Sequence, residues 1–319
     1  MTARIEGLHH VTATVDDAQS DVDFYTLALG LRLVKKTVNF DNHHVYHFYY
    51  GDEVGRPGTL FTTFPYKGKG VPWGRKGRGQ IHTTSFSVPG SALPEWRDRL
   101  KERGIEARMG ENRFGDPTLG FEDAATLGIE LVGNDGDLRT GWTAPGLDSS
   151  LAIRGLHSVT LNIGDPDQSV RFLTDVLGYS VAGTENGRTR VQVGEGGPGN
   201  TIDIVKSPSA PGAINGLGTV HHVAMGVAGA EVQLEFRERL VGLGVPVTPV
   251  LDRQYFQSIY FREPGGVLYE IATLGPGFLV DEPRGALGMA LKLPPWEEPN
   301  RAEIEAGLPV LTGTRVGDR

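Results

Sequence analysis

Residues 8–15 read Leu8-His9-His10-Val11-Thr12-Ala13-Thr14-Val15, and this stretch returns three times in altered form. The variants are Ile81-His82-Thr83-Thr84-Ser85-Phe86-Ser87-Val88, Leu156-His157-Ser158-Val159-Thr160-Leu161-Asn162-Ile163 and Val220-His221-His222-Val223-Ala224-Met225-Gly226-Val227. β-Branched residues and a period of two mark each as a strand. Each opens a unit that continues with a helix and further strands. In the first unit Asp16-Asp17 caps a helix that stops at Gly30, because a capping carboxylate starts a helix and glycine ends one. Strands are predicted over 31–40, 45–50 and 59–64.

The first and third helices align without a gap: Val22-Asp23-Phe24-Tyr25-Thr26-Leu27-Ala28-Leu29-Gly30 against Val170-Arg171-Phe172-Leu173-Thr174-Asp175-Val176-Leu177-Gly178. The second and fourth also match, Glu95-Trp96-Arg97-Asp98-Arg99-Leu100 before Gly104 and Glu235-Phe236-Arg237-Glu238-Arg239-Leu240 before Gly244. A pair of units has been duplicated. The expected architecture is α+β, with four β-α-β-β-β modules. Modules 1 and 2 fall in an N-terminal domain, 1–140, and modules 3 and 4 in a C-terminal domain, 150–275. The Gly/Asp/Pro-rich stretch 134–150 separates them, and 276–319 is an extension covering one domain. The Gly/Lys/Arg-rich loop Lys67 to Gly79 reads as a solvated link, with a mobile flap as the other reading.

A chain of 319 residues, 39% apolar and 22% charged, suits a soluble globular protein. The net charge of −8 and the lack of a basic run argue against nucleic acid as a partner. There is no apolar run of about 20 residues to span a membrane, and the N-terminus lacks the apolar core of a secretion signal. Cysteine is absent, so disulfides are excluded and a cytoplasmic location is expected. Any metal site must therefore use histidine and carboxylate.

Strict alternation puts Leu8, His10, Thr12 and Thr14 on one face of the first strand, with His9, Val11, Ala13 and Val15 on the other. The first histidine recurs in all four units, as His9, His82, His157 and His221, which points to a structural or supporting role. The second position is His10, Thr83, Ser158 and His222. Only modules 1 and 4 keep an imidazole there. A third ligand is expected from a module's last strand, where Glu270 is a lone carboxylate in an apolar run. Buried without a cation it would be costly. Its counterparts are expected at Val132 in module 2, near Thr63 in module 1 and near Asp203 in module 3. One site emerges, His10, His222 and Glu270, joining modules 1 and 4. Two imidazoles and a carboxylate form the facial triad suited to Fe(II), and Mn(II) shares the same ligand types. The rival cluster His43, His44 and His47 lies in a polar turn with no carboxylate on a nearby strand, and reads as surface or strand packing.

These residues resemble the vicinal oxygen chelate superfamily of glyoxalases, bleomycin-resistance proteins and extradiol dioxygenases, and within it the hydroquinone-type ring-cleaving dioxygenases. The stretches Gly7-Leu8-His9-His10-Val11-Thr12, Val34-Lys35-Lys36-Thr37-Val38, Pro57-Gly58-Thr59-Leu60-Phe61-Thr62-Thr63-Phe64-Pro65, Pro264-Gly265-Gly266-Val267 and Leu287-Gly288-Met289 carry the likeness. The resemblance implies two domains with open, barrel-like sheets and an oxidoreductase that opens a dihydroxylated aromatic ring with both atoms of O2. It implies iron ligands at His10, His222 and Glu270. Catechol-type relatives draw all three ligands from the second domain, an arrangement Ser158 excludes. It also implies Arg253 and Tyr260 beside the substrate, with supporting roles for His9, Thr12 and His221. Exposed sheet edges lead us to expect a homo-oligomer. Two other readings share the scaffold. One is a glyoxalase-like isomerase or thiol transferase, which usually holds its metal with four protein ligands. The other is a protein that binds an aromatic compound without turnover.

Overall fold

The computed structural model describes residues 3–312. The first two residues of the expected 1–140 domain and the end of the 276–319 extension lie outside the described residues. All four modules have the expected order. Module 1 is β1 (Leu8–Val15), α1 (Ala18–Asp23, continued by a wider turn over Phe24–Ala28), β2 (Arg32–Asn39), β3 (Asn42–Gly51) and β4 (Leu60–Pro65). Module 2 is β5 (Gln80–Val88), α2 (Leu93–Glu102), β6 (Arg108–Met109), β7 (Thr118–Glu122) and β8 (Gly128–Gly133). Module 3 is β9 (Gly155–Ile163), α3 (Pro166–Asp175), β10 (Ser180–Glu185), β11 (Arg188–Gln192) and β12 (Thr201–Lys206). Module 4 is β13 (Thr219–Val227), α4 (Ala230–Gly242), β14 (Leu251–Asp252), β15 (Phe256–Arg262) and β16 (Leu268–Pro276). A last helix, α5, spans Arg301–Gly307.

The cap and stop signals work as the sequence suggests. Asp17 accepts the Ser20 amide at 2.8 Å. The chain leaves each helix near a glycine with φ between 70° and 78°, at Gly30, Gly104, Gly178 and Gly244, a conformation that other residues reach only with strain. Phe24, Trp96, Phe172 and Phe236 turn inward from their helices onto the sheets.

The modules pair across the duplication. Strand order is β14-β15-β16-β13-β1-β4-β3-β2 in one eight-stranded sheet and β10-β11-β12-β9-β5-β8-β7-β6 in the other. The first sheet therefore joins modules 4 and 1, and the second joins modules 3 and 2. We propose 1–140 and 150–275 as the duplicated halves, each giving one module to each sheet. The extension lies on the first sheet. Lys35 of β2, fully buried, meets Asp281 and Glu282, Leu291 bridges to Lys36, and α5 packs its buried Ile304 toward β3. The loop over residues 67–79 is pinned by bridges at Trp73, Arg75 and Arg78 to the stretch 212–217. Its residues do not line the cavity described below.

Candidate metal centre

At the seam of modules 1 and 4, β1 and β13 run antiparallel, and each carries a bulge. Leu8 pairs with Met225 but His10 with Ala224, leaving His9 as the extra residue; Thr12 pairs with His222 but Ala13 with Val220, leaving His221 as its counterpart. The second sheet repeats the device. His82 is skipped between Ile81–Leu161 and Thr83–Thr160, and His157 between Ser85–Ser158 and Phe86–Leu156. A bulge re-aims side chains that strict alternation would send apart. The opposite-face placement of His9 and His221 is thereby corrected. In every module the bulged histidine turns its Nδ1 to the next side chain: His9 to His10 Nδ1 at 2.8 Å, His82 to Thr83 Oγ1 at 2.8 Å, His157 to Ser158 Oγ at 3.0 Å and His221 to His222 Nδ1 at 2.8 Å. This bond accounts for a histidine at the first position of all four modules.

The second-position imidazoles converge with Glu270. His10 Nε2 lies 3.3 Å from His222 Nε2 and 3.3 Å from Glu270 Oε2, and His222 Nε2 lies 2.8 Å from the same oxygen. All three side chains are buried. Glu270 Oε1 accepts the Ser258 hydroxyl at 2.5 Å, whereas Oε2 has no partner with hydrogen-bond geometry. Three atoms able to ligate a metal thus face one point. Octahedral ligands at about 2.1 Å from a cation are about 3 Å apart, so the donor set fits a divalent metal. Burial would raise the Glu270 carboxyl, but the His10 and His222 imidazoles hold it well below the usual carboxylate range.

Burial, then the neighbouring His10, pushes His9 down to about 3; burial, then His222, does the same for His221. Both rings are neutral at pH 7 and carry one N–H each. For His10 Nε2 to offer its lone pair to the centre, the His10 tautomer must carry its proton on Nδ1 and donate it to His9 Nδ1 across the 2.8 Å contact. His9→Ala frees that tautomer, and supporting partners of this kind are worth about 10- to 100-fold in metal affinity. Competition with a chelating dye checks the loss; unchanged affinity would remove His9 from this role.

A cavity of about 410 Å³ opens onto the centre, within the range of small-molecule sites. His10, His222, Thr12, His221, Arg253 and Tyr260 line it, while His9 and Glu270 stand behind its wall. Arg253 lies in a tight turn with Gln254 at φ 64°. It donates to the Tyr260 hydroxyl at 3.3 Å and to both Asp41 oxygens, at 3.2 and 2.9 Å. Burial and the Glu270 charge raise the Tyr260 phenol, so it stays protonated. Phe256 lies 4.9 Å from the His9 ring and 5.2 Å from the His10 ring.

His47 belongs to this cavity, not to the surface or strand packing expected of it. Its Nε2 meets Thr62 Oγ1 at 3.0 Å, and Thr62 meets Thr12 Oγ1 at 2.8 Å. Burial, then the imidazoles of His10 and His222, drives His47 far below its ordinary value, and it is neutral. The signal was present in β3: Tyr46, Phe48 and Tyr50 join the core, and alternation sends His47 and Tyr49 the other way.

Register also corrects the counterparts of Glu270. Glu270 pairs with Ala224, two residues past His222. The equivalent pairs are Ser85–Glu130, Thr12–Thr62 and Thr160–Asp203. Glu130 and Thr62 therefore replace the expected Val132 and Thr63. In the second sheet hydroxyls stand where the imidazoles would be, and arginines neutralise the acids. Arg113 contacts Glu130, and Arg190 grips Asp203 at 2.8 and 3.0 Å. Among the described residues that sheet has no histidine–carboxylate metal set.

The family description "Glyoxalase/Bleomycin resistance protein/Dioxygenase superfamily" matches residues 7–131 and again 155–271. The chain belongs to this superfamily. Curated relatives of this superfamily member include MhqE of Bacillus subtilis, provisionally named a ring-cleaving dioxygenase, 41% identical over 97% of this chain and 100% of the relative. Another is the chlorohydroquinone/hydroquinone 1,2-dioxygenase of Sphingobium indicum, 37% identical over 94% of this chain and 95% of the relative. The crystal structure of a Bacillus subtilis protein, provisionally called a dioxygenase, superposes with a TM-score of 0.93 at 39% identity, covering 98% of this chain and 99% of that one. Maize glyoxalase I shares the fold, with a TM-score of 0.62 at 15% identity over 84% of this chain and 92% of its own. Among the described residues no helix is long and apolar enough to cross a membrane.

Proposed function

We propose that this protein is an extradiol-type, Fe(II)-dependent dioxygenase that opens the ring of a hydroquinone-type compound, with His10, His222 and Glu270 as the iron ligands. The observation that carries this is the convergence of two imidazole nitrogens and a carboxylate at the floor of an aromatic-walled cavity. The 37% identity to the Sphingobium indicum enzyme supports the choice of ring. Iron(II) would supply electron transfer between a ring oxygen and dioxygen; the three protein ligands leave sites open for both.

The chain's own residues supply the rest. Arg253 holds its positive charge where a ring oxygen gathers negative charge. Its partner Asp41 is 71% exposed, so the ion pair is worth little and leaves the guanidinium free to turn to a substrate. Tyr260, still protonated, donates a hydrogen bond to an oxygen in the cavity. Thr12, linked through Thr62 to His47, offers a second polar contact in the cavity. Phe256 and Tyr49 keep water from the reacting face.

The isomerase reading wants a fourth ligand. The position symmetric to Glu270 is Thr62, whose hydroxyl is engaged by Thr12 and His47. Protein reconstituted anaerobically with Fe(II) is expected to consume one O2 per ring opened when given methylhydroquinone or chlorohydroquinone. An oxygen electrode checks this. Silence with those rings and with catechol, together with turnover of a hemithioacetal, would overturn the reading.

A further inference from the structure

A second set of metal donors lies away from the cavity floor, and the reaction does not use it. The β2–β3 ladder passes from Val38–Tyr46 directly to Asn39–Asn42. His43, His44 and Val45 are left outside the pairing, which frees consecutive side chains from alternation. The His43 and His44 rings stand edge to face, 4.5 Å apart. Glu303 of α5 comes to meet them, and the donor atoms of His43, His44 and Glu303 all lie within 4.8 Å of one another. Glu297, also from the extension, accepts from His43 Nδ1–H at 2.9 Å. That arrangement orients a ligating imidazole and leaves its other nitrogen with the lone pair.

We propose that His43, His44 and Glu303 form a second metal site, for a divalent ion of the zinc class. Two imidazoles with a carboxylate select such an ion over calcium or magnesium, which prefer all-oxygen shells. The missing carboxylate in the sequence reading of this cluster comes from the extension, some 260 residues later. His43 is half-buried and His44 and Glu303 are exposed, so an ion can enter from solvent, with a water completing its shell.

The ion would tie the extension to a turn that leads into the catalytic cavity. Asn39, Phe40 and Asp41, which lead into this turn, line that cavity. Phe40 packs on Trp296 of the extension at 5.6 Å, and Tyr46 donates to the Pro309 carbonyl at 3.1 Å. An ion bound by His43, His44 and Glu303 clips α5 to the turn and so braces one wall.

The test uses the full-length chain equilibrated with Zn(II), comparing wild type with His43→Gln/His44→Gln. The double variant is expected to bind one equivalent fewer, whatever the catalytic triad binds. At a zinc concentration about 100 times the dissociation constant, hydrogen exchange of the α5 amides is expected to slow about 100-fold in the wild type and not in the variant. Glu303→Gln, which keeps both imidazoles, should weaken the effect without unfolding the helix. Equal zinc stoichiometry in wild type and double variant, or α5 exchange indifferent to zinc, overturns the proposal.

Discussion

Glu270→Gln is expected to abolish iron binding and ring opening together while the protein stays folded. The carboxylate is the one anionic donor of the triad, and it is fully buried. The amide keeps the size of the acid, and its oxygen still accepts the Ser258 hydroxyl that Glu270 holds at 2.5 Å. Its NH2 group points at the two imidazole lone pairs that now face Glu270 Oε2. Hydrogen bonds thus replace the cation, and stability is preserved because no buried acceptor is left unpaired. Affinity for iron should fall by more than about 100-fold, the upper figure for losing only a supporting partner of a ligand. Turnover should fall in step. Metal analysis, oxygen uptake and a thermal melt on one preparation check it. Full iron occupancy in this variant would show that the acid is not a ligand and would leave the proposed chemistry without its centre.

The same centre marks where the sequence was legible. Period-two strands and glycine stops gave four modules because both are local properties. The triad emerged because His10 and His222 break the pattern of Thr83 and Ser158 at equivalent positions, and because Glu270 is out of place in an apolar strand. The bulges were not legible. One inserted residue changes no composition, yet it moves His9 and His221 from the opposite face to the shoulder of the ligands. The counterparts of Glu270 were misjudged by one or two residues because the chain between a module's first and last strands differs in length from module to module, and only cross-strand register fixes Glu130 and Thr62. His47 was grouped with its neighbours in sequence, although alternation on β3 separates it from His43 and His44. The carboxylates that reach those two come from a distant segment, which no local pattern can reveal.

Lys35→Met carries the largest expected effect on stability. Lys35 sits on β2 with its side chain 0% exposed, a position where an ammonium survives only among strong partners. Asp281 Oδ1 lies at 2.5 Å, Glu282 stands against the same nitrogen, and the Tyr255 ring centre is 5.0 Å away. Methionine fills the volume but leaves the buried Glu282 and the nearby Asp281 facing apolar sulfur. Removing one member of a buried ionic cluster costs about 3–5 kcal/mol, and a midpoint lower by on the order of 10 °C follows for a chain of this size. The effect should reach the cavity as well. Tyr255 donates to Asp281 at 3.0 Å, and the next residue, Phe256, is the ring that packs on His9 and His10. Neutralising the acids too, in Lys35→Met/Asp281→Asn/Glu282→Gln, should recover most of the lost midpoint, because the cost comes from unpaired charge and not from lost volume. Calorimetry of wild type, single and triple variants separates the two causes. A single variant that melts with the wild type would mean that the extension is held by its apolar contacts alone, and a triple variant no better than the single would assign the loss to packing.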